Sequence, residues 1–222
     1  SRFNTVQSSL AGQNQFIGQQ MSTLADQASR LSATIAEFND SIAKAAANGA
    51  QPNDLLDSRD EAVRELSKLI GISVVPQDDN QINVFVGSGQ PLVVGSEAST
   101  LSVRNGASDP SRVDVVLTSG GSTQDITSLL SGGELGGLVR YRQDVLDQAM
   151  NSIGRLSLSI ANEFNQQQGQ GLDRNGNAGS LLFNDINSDA LVDGRSRARA
   201  NNSDPNAKLD VLITDTSQLG TS

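Results

Sequence analysis

A long apolar stripe with heptad spacing dominates the N-terminal part of the chain. Its members recur at alternating steps of four and three residues, at Ile17, Met21, Leu24, Ala28, Leu31, Ile35, Phe38, Ile42 and Ala45. This spacing predicts one helix with a narrow apolar seam, which spans roughly 45–50 Å at about 1.5 Å per residue. A rod of that length cannot bury its own seam, so we expect partner helices to cover it.

Two further segments carry helical patterns. The first helix extends upstream through residues 1–14, with a stutter at Gln13, and ends at Asn48-Gly49. A second helix is predicted after Pro52, with Asn53 as N-cap, an Asp60–Arg64 pair and Gly71 as a left-handed cap. The third runs from Gly137 to about Gln168, and its seam reads Leu138, Val145 or Leu146, Ala149, Ile153, Leu156, Ile160 and Phe164. We interpret the three as a largely antiparallel bundle.

The segment between the second and third helices has the two-residue period of β-strands. Strand-like runs occupy 72–75, 82–86, 91–94, 101–103 and 113–118, and glycine- and Asx-rich turns separate them. Pro91 indicates a sheet edge or the start of a strand. We predict four or five antiparallel strands as an outgrowth inserted between the helices.

The predicted fold class is α+β: an elongated antiparallel helical bundle, an inserted small antiparallel β-rich unit and the start of a further β domain. The predicted boundaries are 1–71 for the first two helices, 72–130 for the β-rich unit, 131–168 for the long helix, and 169–222 for a loop and the start of a second β domain. Within the last segment, Lys208 to Thr214 is one more strand-like run.

Composition restricts the chemistry. The chain has neither Cys nor His, which removes thiolate nucleophiles, Ser-His-Asp triads and the commonest general base. A net charge of −9 argues against nucleic acid as a partner, and no apolar run is long enough to span a membrane. We expect no enzymatic activity, no catalytic residue, no metal and no cofactor.

Four polar patterns are candidate sites. Asp173-x-Asn175-x-Asn177 resembles half of a calcium loop, but the expected Glu is missing, which favours an Asx-rich turn. Gly132-Gly133-x-x-Gly136-Gly137 lacks the Lys and the spacing of a phosphate-binding loop, which favours a tight strand-to-helix entry. Asp78-Asp79, and Asp57 with Asp60, could supply paired carboxylates for acid–base chemistry, but without His or a Ser in a nucleophile setting we expect no enzymatic role for them. The basic cluster of Arg195, Arg197 and Arg199 is interpreted as a solvated loop instead of a site for an anionic partner.

Several motifs, taken together, resemble the flagellar hook-associated protein 1 family. They are Pro52–Asp60 (PNDLLDSRD), Asn83–Val93 (NVFVGSGQPLV), Gly132–Leu138 (GGELGGL) followed by Tyr141-Arg142, and a run with Phe164-Asn165, Gly171-Leu172-Asp173, Gly176-Asn177 and Phe183. Tyr141 stands where this family usually has Phe. The resemblance covers roughly residues 15–183 in the expected order, and the remainder matches weakly.

The resemblance implies a structural subunit that is exported through the flagellar apparatus and joins hook to filament outside the cell. It implies as partners the hook protein, the second junction protein (hook-associated protein 3), further copies of itself in a ring, and an export chaperone that binds a C-terminal region. It also implies a central fragment lacking both terminal helical regions, which we expect to be monomeric alone. The alternative is a surface-exposed, adhesin-like binding module.

The resemblance leaves two interpretations of Asp57-Ser58-Arg59-Asp60. The group either contacts a neighbouring subunit or forms an internal lock, in which Arg59 bridges carboxylates or backbone carbonyls where the second helix meets the sheet. A partly buried Arg fork favours the internal lock.

Overall fold

The computed structural model describes residues 2–49, 51–77, 79–106 and 112–183. These form two compact units, one of residues 14–143 and one that combines residues 2–13 with residues 144–183. The secondary structure consists of helices and small antiparallel sheets, so the predicted α+β class is confirmed. The predicted boundaries after residues 71, 130 and 168 remain proposals. The predicted strand at Lys208–Thr214 and the cluster Arg195, Arg197 and Arg199 lie outside the described residues, as does Asp78.

All three predicted helices are present, with altered ends. Helix α1 spans Arg2–Ala47, and Gly49 follows in the left-handed conformation, with φ of +76°. Helix α2 spans Asn53–Leu69, so Asn53 begins the helix instead of capping it, and Pro52 holds the cap position. The predicted cap at Gly71 is also wrong, because Ile70 ends the helix in an extended conformation.

The third predicted helix begins earlier than expected and is interrupted. Helix α3 spans Gly133–Tyr141, a π-helical turn occupies Arg142–Leu146, and helix α4 spans Asp147–Gln170. Glycine-rich sequence disfavours helix, so the pattern before Gly137 does not predict this first turn. No described helix is long and apolar enough to cross a membrane.

The β residues form two antiparallel meanders instead of one sheet. The first has the order β1-β2-β3-β4, with β1 at Ile72–Pro76, β2 at Ile82–Val86, β3 at Gln90–Val94 and β4 at Glu97–Ala98. The second has the order β5-β6-β7, with β5 at Thr100–Asn105, β6 at Val113–Ser119 and β7 at Ser122–Asp125. Pro91 is the second residue of β3, as its position near a strand start predicts.

The sheets belong to the same compact unit as most of α1, so they are not the outgrowth predicted from the helical seams. The buried residues of α1 are Ile17, Met21, Ala25, Ala28, Ser32, Ile35, Ala36, Asn39 and Ile42. Leu24, Leu31 and Phe38 of the predicted seam are only partly buried. The buried stripe therefore includes small and polar positions next to the seam, and two of the polar side chains on this helix bond to the sheets.

Candidate functional site

Asn39 of α1 is fully buried, and its side chain makes three hydrogen bonds with backbone atoms of the larger unit. Its Nδ2 donates to the carbonyl oxygens of Ile82 and Gly95, both at 2.7 Å. Its Oδ1 accepts the Ile82 amide at 3.2 Å. One side-chain amide thus exchanges both hydrogen bonds with Ile82, as a neighbouring strand would, and also holds the turn between β3 and β4.

Arg59 of α2 joins the same cluster. Its side chain is almost fully buried, and Nη1 donates to the Asn80 carbonyl at 2.6 Å and to Asn39 Oδ1 at 3.5 Å. Nη2 lies 3.6 Å from Oδ1 of Asp60, whose side chain is mostly exposed. This is the contact that the internal interpretation of Arg59 predicts, with a backbone carbonyl as the main acceptor. We call Asn39, Arg59, Asn80, Ile82 and Gly95 the Asn39 anchor.

A second buried arginine holds the second sheet. Arg142, in the π-helical turn, is 2% exposed; it donates a hydrogen bond to the Val113 carbonyl and lies 3.8 Å from the sulfur of Met21 in α1. Sequence reasoning used Arg142 only as part of a family motif. The available signal was its position three residues after the apolar Val139, on the buried face of the helix.

Ser29 connects α1 to that second sheet as well. Its hydroxyl donates to the Leu101 carbonyl at 2.9 Å and accepts the Leu101 amide at 2.8 Å. Each sheet is therefore bonded to α1 by one polar side chain and to a second helical segment by one buried arginine. Buried backbone groups need such partners, because leaving one unpaired costs about 1–3 kcal/mol.

The candidate calcium loop is an Asx turn. Oδ1 of Asp173 accepts the backbone amides of Asn175 and Asn177, both at 2.8 Å, and Leu172 pairs with Ala178 across the loop. These hydrogen bonds, led by that from Asn177, hold the pKa of Asp173 below its ordinary value. Within the described residues no group of three acidic, His or Cys side chains is placed to hold a metal.

The glycine-rich candidate is a close helix entry. Gly133 has φ of +68°, and a Cβ there would lie 2.4 Å from the Ile70 nitrogen. The Gly71 amide donates to the Gly132 carbonyl at 3.0 Å. The glycines thus let the backbone of this segment pass close to the end of α2. The entry is tight, as predicted, but a 3-10 turn at Thr127–Leu129 precedes it instead of a strand.

The carboxylates of α2 lie in solvent. Asp57 and Asp60 are exposed, and the predicted Asp60–Arg64 pair is replaced by one between Arg64 and Glu61, three residues apart. Lys68 pairs with Glu65 in the same way, at 2.6 Å. Residues three apart and residues four apart are both neighbours on a helix surface, so the conformation of the Arg64 side chain determines which carboxylate it pairs with.

An open apolar groove of about 570 Å³ lies between α1 and α3. It is lined by Phe16, Gln19, Gln20, Thr23, Leu24, Glu134, Gly137 and Leu138. The Phe16 side chain is 58% exposed, which is unusual for an aromatic group. The buried polar side chains described above bond to backbone atoms and hold helices to sheets. Phe16, by contrast, presents an apolar surface to solvent.

Comparison with known proteins identifies the architecture. The model of the flagellar hook-associated protein FlgK helical domain matches residues 1–183. Flagellar hook-associated protein 1 of Escherichia coli is 36% identical over 187 residues, which is 82% of this chain and 34% of that protein. The Salmonella typhimurium protein of the same name is 33% identical over 99% of this chain and 39% of its own length.

A solved structure agrees with these matches. The flagellar hook junction protein FlgK from Burkholderia pseudomallei is 36% identical, with a TM-score of 0.72, over 82% of this chain and 33% of that one. The chain thus spans between a third and two fifths of the length of the relatives described here. Because the family model covers most of the chain, and its motifs lie in the order noted above, the chain belongs to the flagellar hook-associated protein FlgK family.

Proposed function

We propose that the full-length protein is a structural subunit of the bacterial flagellum and that it joins hook to filament. The observation that carries this proposal is the match of the FlgK helical domain model to residues 1–183. The relatives named above are hook-associated proteins, and the Burkholderia pseudomallei protein is described as a hook junction protein. In this proposal, the described residues form a rigid part of that subunit.

The buried polar contacts of the Asn39 anchor and of Arg142 favour a mechanical role over a catalytic one. Asn39, Arg59 and Arg142 donate to backbone carbonyls, and Arg59 also donates to Asn39, which fixes helices to sheets. A junction subunit must transmit load between neighbours without losing its internal register, and buried side chain–backbone bonds resist such slippage. We therefore propose that the protein is not an enzyme.

For partners, we propose the hook protein, hook-associated protein 3 and further copies of the same protein in a ring. We also propose that the protein is exported, acts outside the cell and is bound before export by a chaperone through a C-terminal region. The exposed Phe16 and the apolar groove beside it support packing against another apolar surface, since a contiguous exposed apolar groove marks an interaction site where a single exposed apolar residue does not.

The test is deletion of the gene for the full-length protein from its own bacterium. Electron microscopy of the deletion strain should show hooks without filaments, with filament protein released into the medium. Restoring the gene should restore filaments. Normal filaments in the deletion strain would refute the junction role, and loss of surface attachment alone would favour the adhesin-like alternative.

A further inference from the structure

The segment that follows α4 turns back along the same helix. Leu172 pairs with Ala178 across the loop between them, and the Gly179 amide donates to the Gly171 carbonyl at 2.9 Å. Gly179 lies so close to α4 that a Cβ there would clash with the backbone carbonyl oxygen of Gln168. The chain thus returns to the last turn of the helix that it has just left.

Asn165 of α4 holds the returning segment by its backbone. Its Oδ1 accepts the amides of Leu182 and Phe183 at 2.9 and 2.8 Å, and its Nδ2 donates to the Phe183 carbonyl at 3.0 Å. The Phe183 ring lies edge-on to the Phe164 ring, with the ring centroids 6.2 Å apart. Positions 179, 182 and 183 thus meet helix positions 168, 165 and 164 in turn, so the segment runs antiparallel to α4.

The loop of residues 171–179 needs support from outside itself. A hairpin of two strands is at best marginally stable in water, and the pairing of Leu172 with Ala178 is an isolated bridge. Most residues of the loop are exposed. Because ordering the loop costs conformational entropy, the contacts around Asn165 must help to keep it folded.

We propose that Phe164 and Asn165 form a clip that holds Leu182 and Phe183 and thereby keeps the whole loop of residues 171–179 folded. The last family motif noted in the sequence supplies its parts. Phe164-Asn165 form the clip, the glycines and Asx residues of positions 171–177 shape the loop, and Phe183 is held. The clip is a property of this segment alone and does not depend on the junction role.

The clip determines where the chain leaves α4. While it is closed, the chain beyond residue 183 begins beside Asn165, five residues before the helix ends at Gln170. When it opens, residues 171–183 become free chain, which extends by up to about 3.3–3.6 Å per residue. The clip therefore fixes both the point of departure and the length of chain available there.

Trypsin cleavage after Arg174 tests the clip in the full-length protein. Arg174 is exposed in the loop, nine residues from Asn165, and no other Lys or Arg lies between Arg155 and Arg195. Because proteases cut locally opened chain, cleavage there should be at least about tenfold faster in Asn165→Ala, which removes three hydrogen bonds. Gln166→Ala removes an exposed amide from the next position and should leave the rate unchanged. Cleavage after Arg155, within α4, should stay slow in all of these proteins.

The proposal is overturned if Asn165→Ala is cleaved after Arg174 no faster than Gln166→Ala. If cleavage after Arg155 also becomes fast, α4 itself has opened, and Phe183→Ala decides because it leaves the helix sequence intact. Phe183→Ala should accelerate cleavage after Arg174 alone, whereas Leu181→Ala, at an exposed neighbouring position, should not. Equal rates in these two variants would contradict the clip.

Discussion

At the scale of single residues, the chain uses side-chain amides, hydroxyls and guanidinium groups to continue backbone hydrogen bonding. Asn39 acts as a strand partner to Ile82, and Ser29 does the same for Leu101. Both lie on α1, where an apolar side chain would have buried equal surface. Their polarity fixes the position of each sheet along the helix, because a shift of one turn would break every one of these bonds.

Replacement of Asn39 tests this role most directly. Asn39→Ala should lower the free energy of unfolding by about 2–6 kcal/mol, because it removes the partner of the two buried backbone groups of Ile82, at about 1–3 kcal/mol each, and that of the part-buried Gly95 carbonyl. Asn39→Asp should also destabilise, since a carboxylate retains the acceptor but places negative charge against two carbonyls. Urea unfolding followed by circular dichroism measures both.

The control for Asn39 is Glu37→Ala on the exposed face of the same helix. It should change the free energy of unfolding by no more than about 0.5 kcal/mol. Equal stabilities for Asn39→Ala and Glu37→Ala would mean that the Asn39 anchor does not hold the sheet.

At the scale of elements, sequence periodicity predicted the helices well and their buried faces poorly. The seam through Leu24, Leu31 and Phe38 marks apolar residues, but burial depends on what covers them. In α1, the buried positions include the small Ala25, Ala28 and Ser32 and the hydrogen-bonding Asn39. In α4, the small Ser157 is buried, whereas its apolar neighbour Leu156 is half exposed.

The sheets and the anchors were only partly predictable for a related reason. Strands β4 and β7 are short and exposed, so they show no apolar alternation that a sequence could reveal. The Arg59 motif was visible, but Asn39 is bonded to a residue 43 positions away and Ser29 to one 72 positions away. Pairings at such separations are set by the assembled fold and leave no local pattern.

The glycine crossing gives an element-scale prediction with a control inside the same helix. Gly133→Ala should destabilise by at least about 2–3 kcal/mol, since it combines left-handed strain with a clash against the backbone of Ile70. Gly137→Ala should stabilise by about 0.5–1 kcal/mol, because nothing lies within 4 Å of its Cβ and alanine favours helix. Thermal unfolding compares the two, and equal effects would contradict the close crossing.

The Asx turn after α4 should depend on pH in a known direction. Hydrogen bonds from Asn177 and Asn175 depress the pKa of Asp173, so its ionised form is favoured in the folded chain. Their contribution is present above the pKa of the unfolded chain and is lost as pH falls through the lower folded pKa. Amide NMR shifts of Asn175 and Asn177 should therefore titrate with a midpoint below 3.8.

The control for this turn is Asp173→Asn, which keeps an oxygen acceptor but cannot titrate. Its amide shifts at Asn175 and Asn177 should stay flat over the same acidic range. A midpoint at or above 3.8 in the parent chain would show that the turn does not favour the carboxylate.

At the scale of the whole molecule, net charge opposes association between copies of the chain, whereas exposed apolar surface favours it. The net charge of −9 makes copies of the chain repel each other, and the absence of histidine keeps that charge nearly constant through neutral pH. Under the proposed junction role, apolar contact would offset this repulsion during assembly. Phe16, exposed beside the groove between α1 and α3, is a suitable group for such contact.

Phe16→Lys should impair filament formation without unfolding the protein. Because Phe16 is 58% exposed, its replacement should change the free energy of unfolding little, by about 0.5 kcal/mol. Gln15→Lys adds the same charge one residue away, about 100° around the helix, so it separates the loss of apolar surface from the change of charge. Both variants would be expressed in the deletion strain, with exported protein measured in the medium and filaments counted by electron microscopy. Few filaments with Phe16→Lys and normal numbers with Gln15→Lys would assign the defect to lost apolar contact; equal, normal numbers would show that assembly does not use this surface.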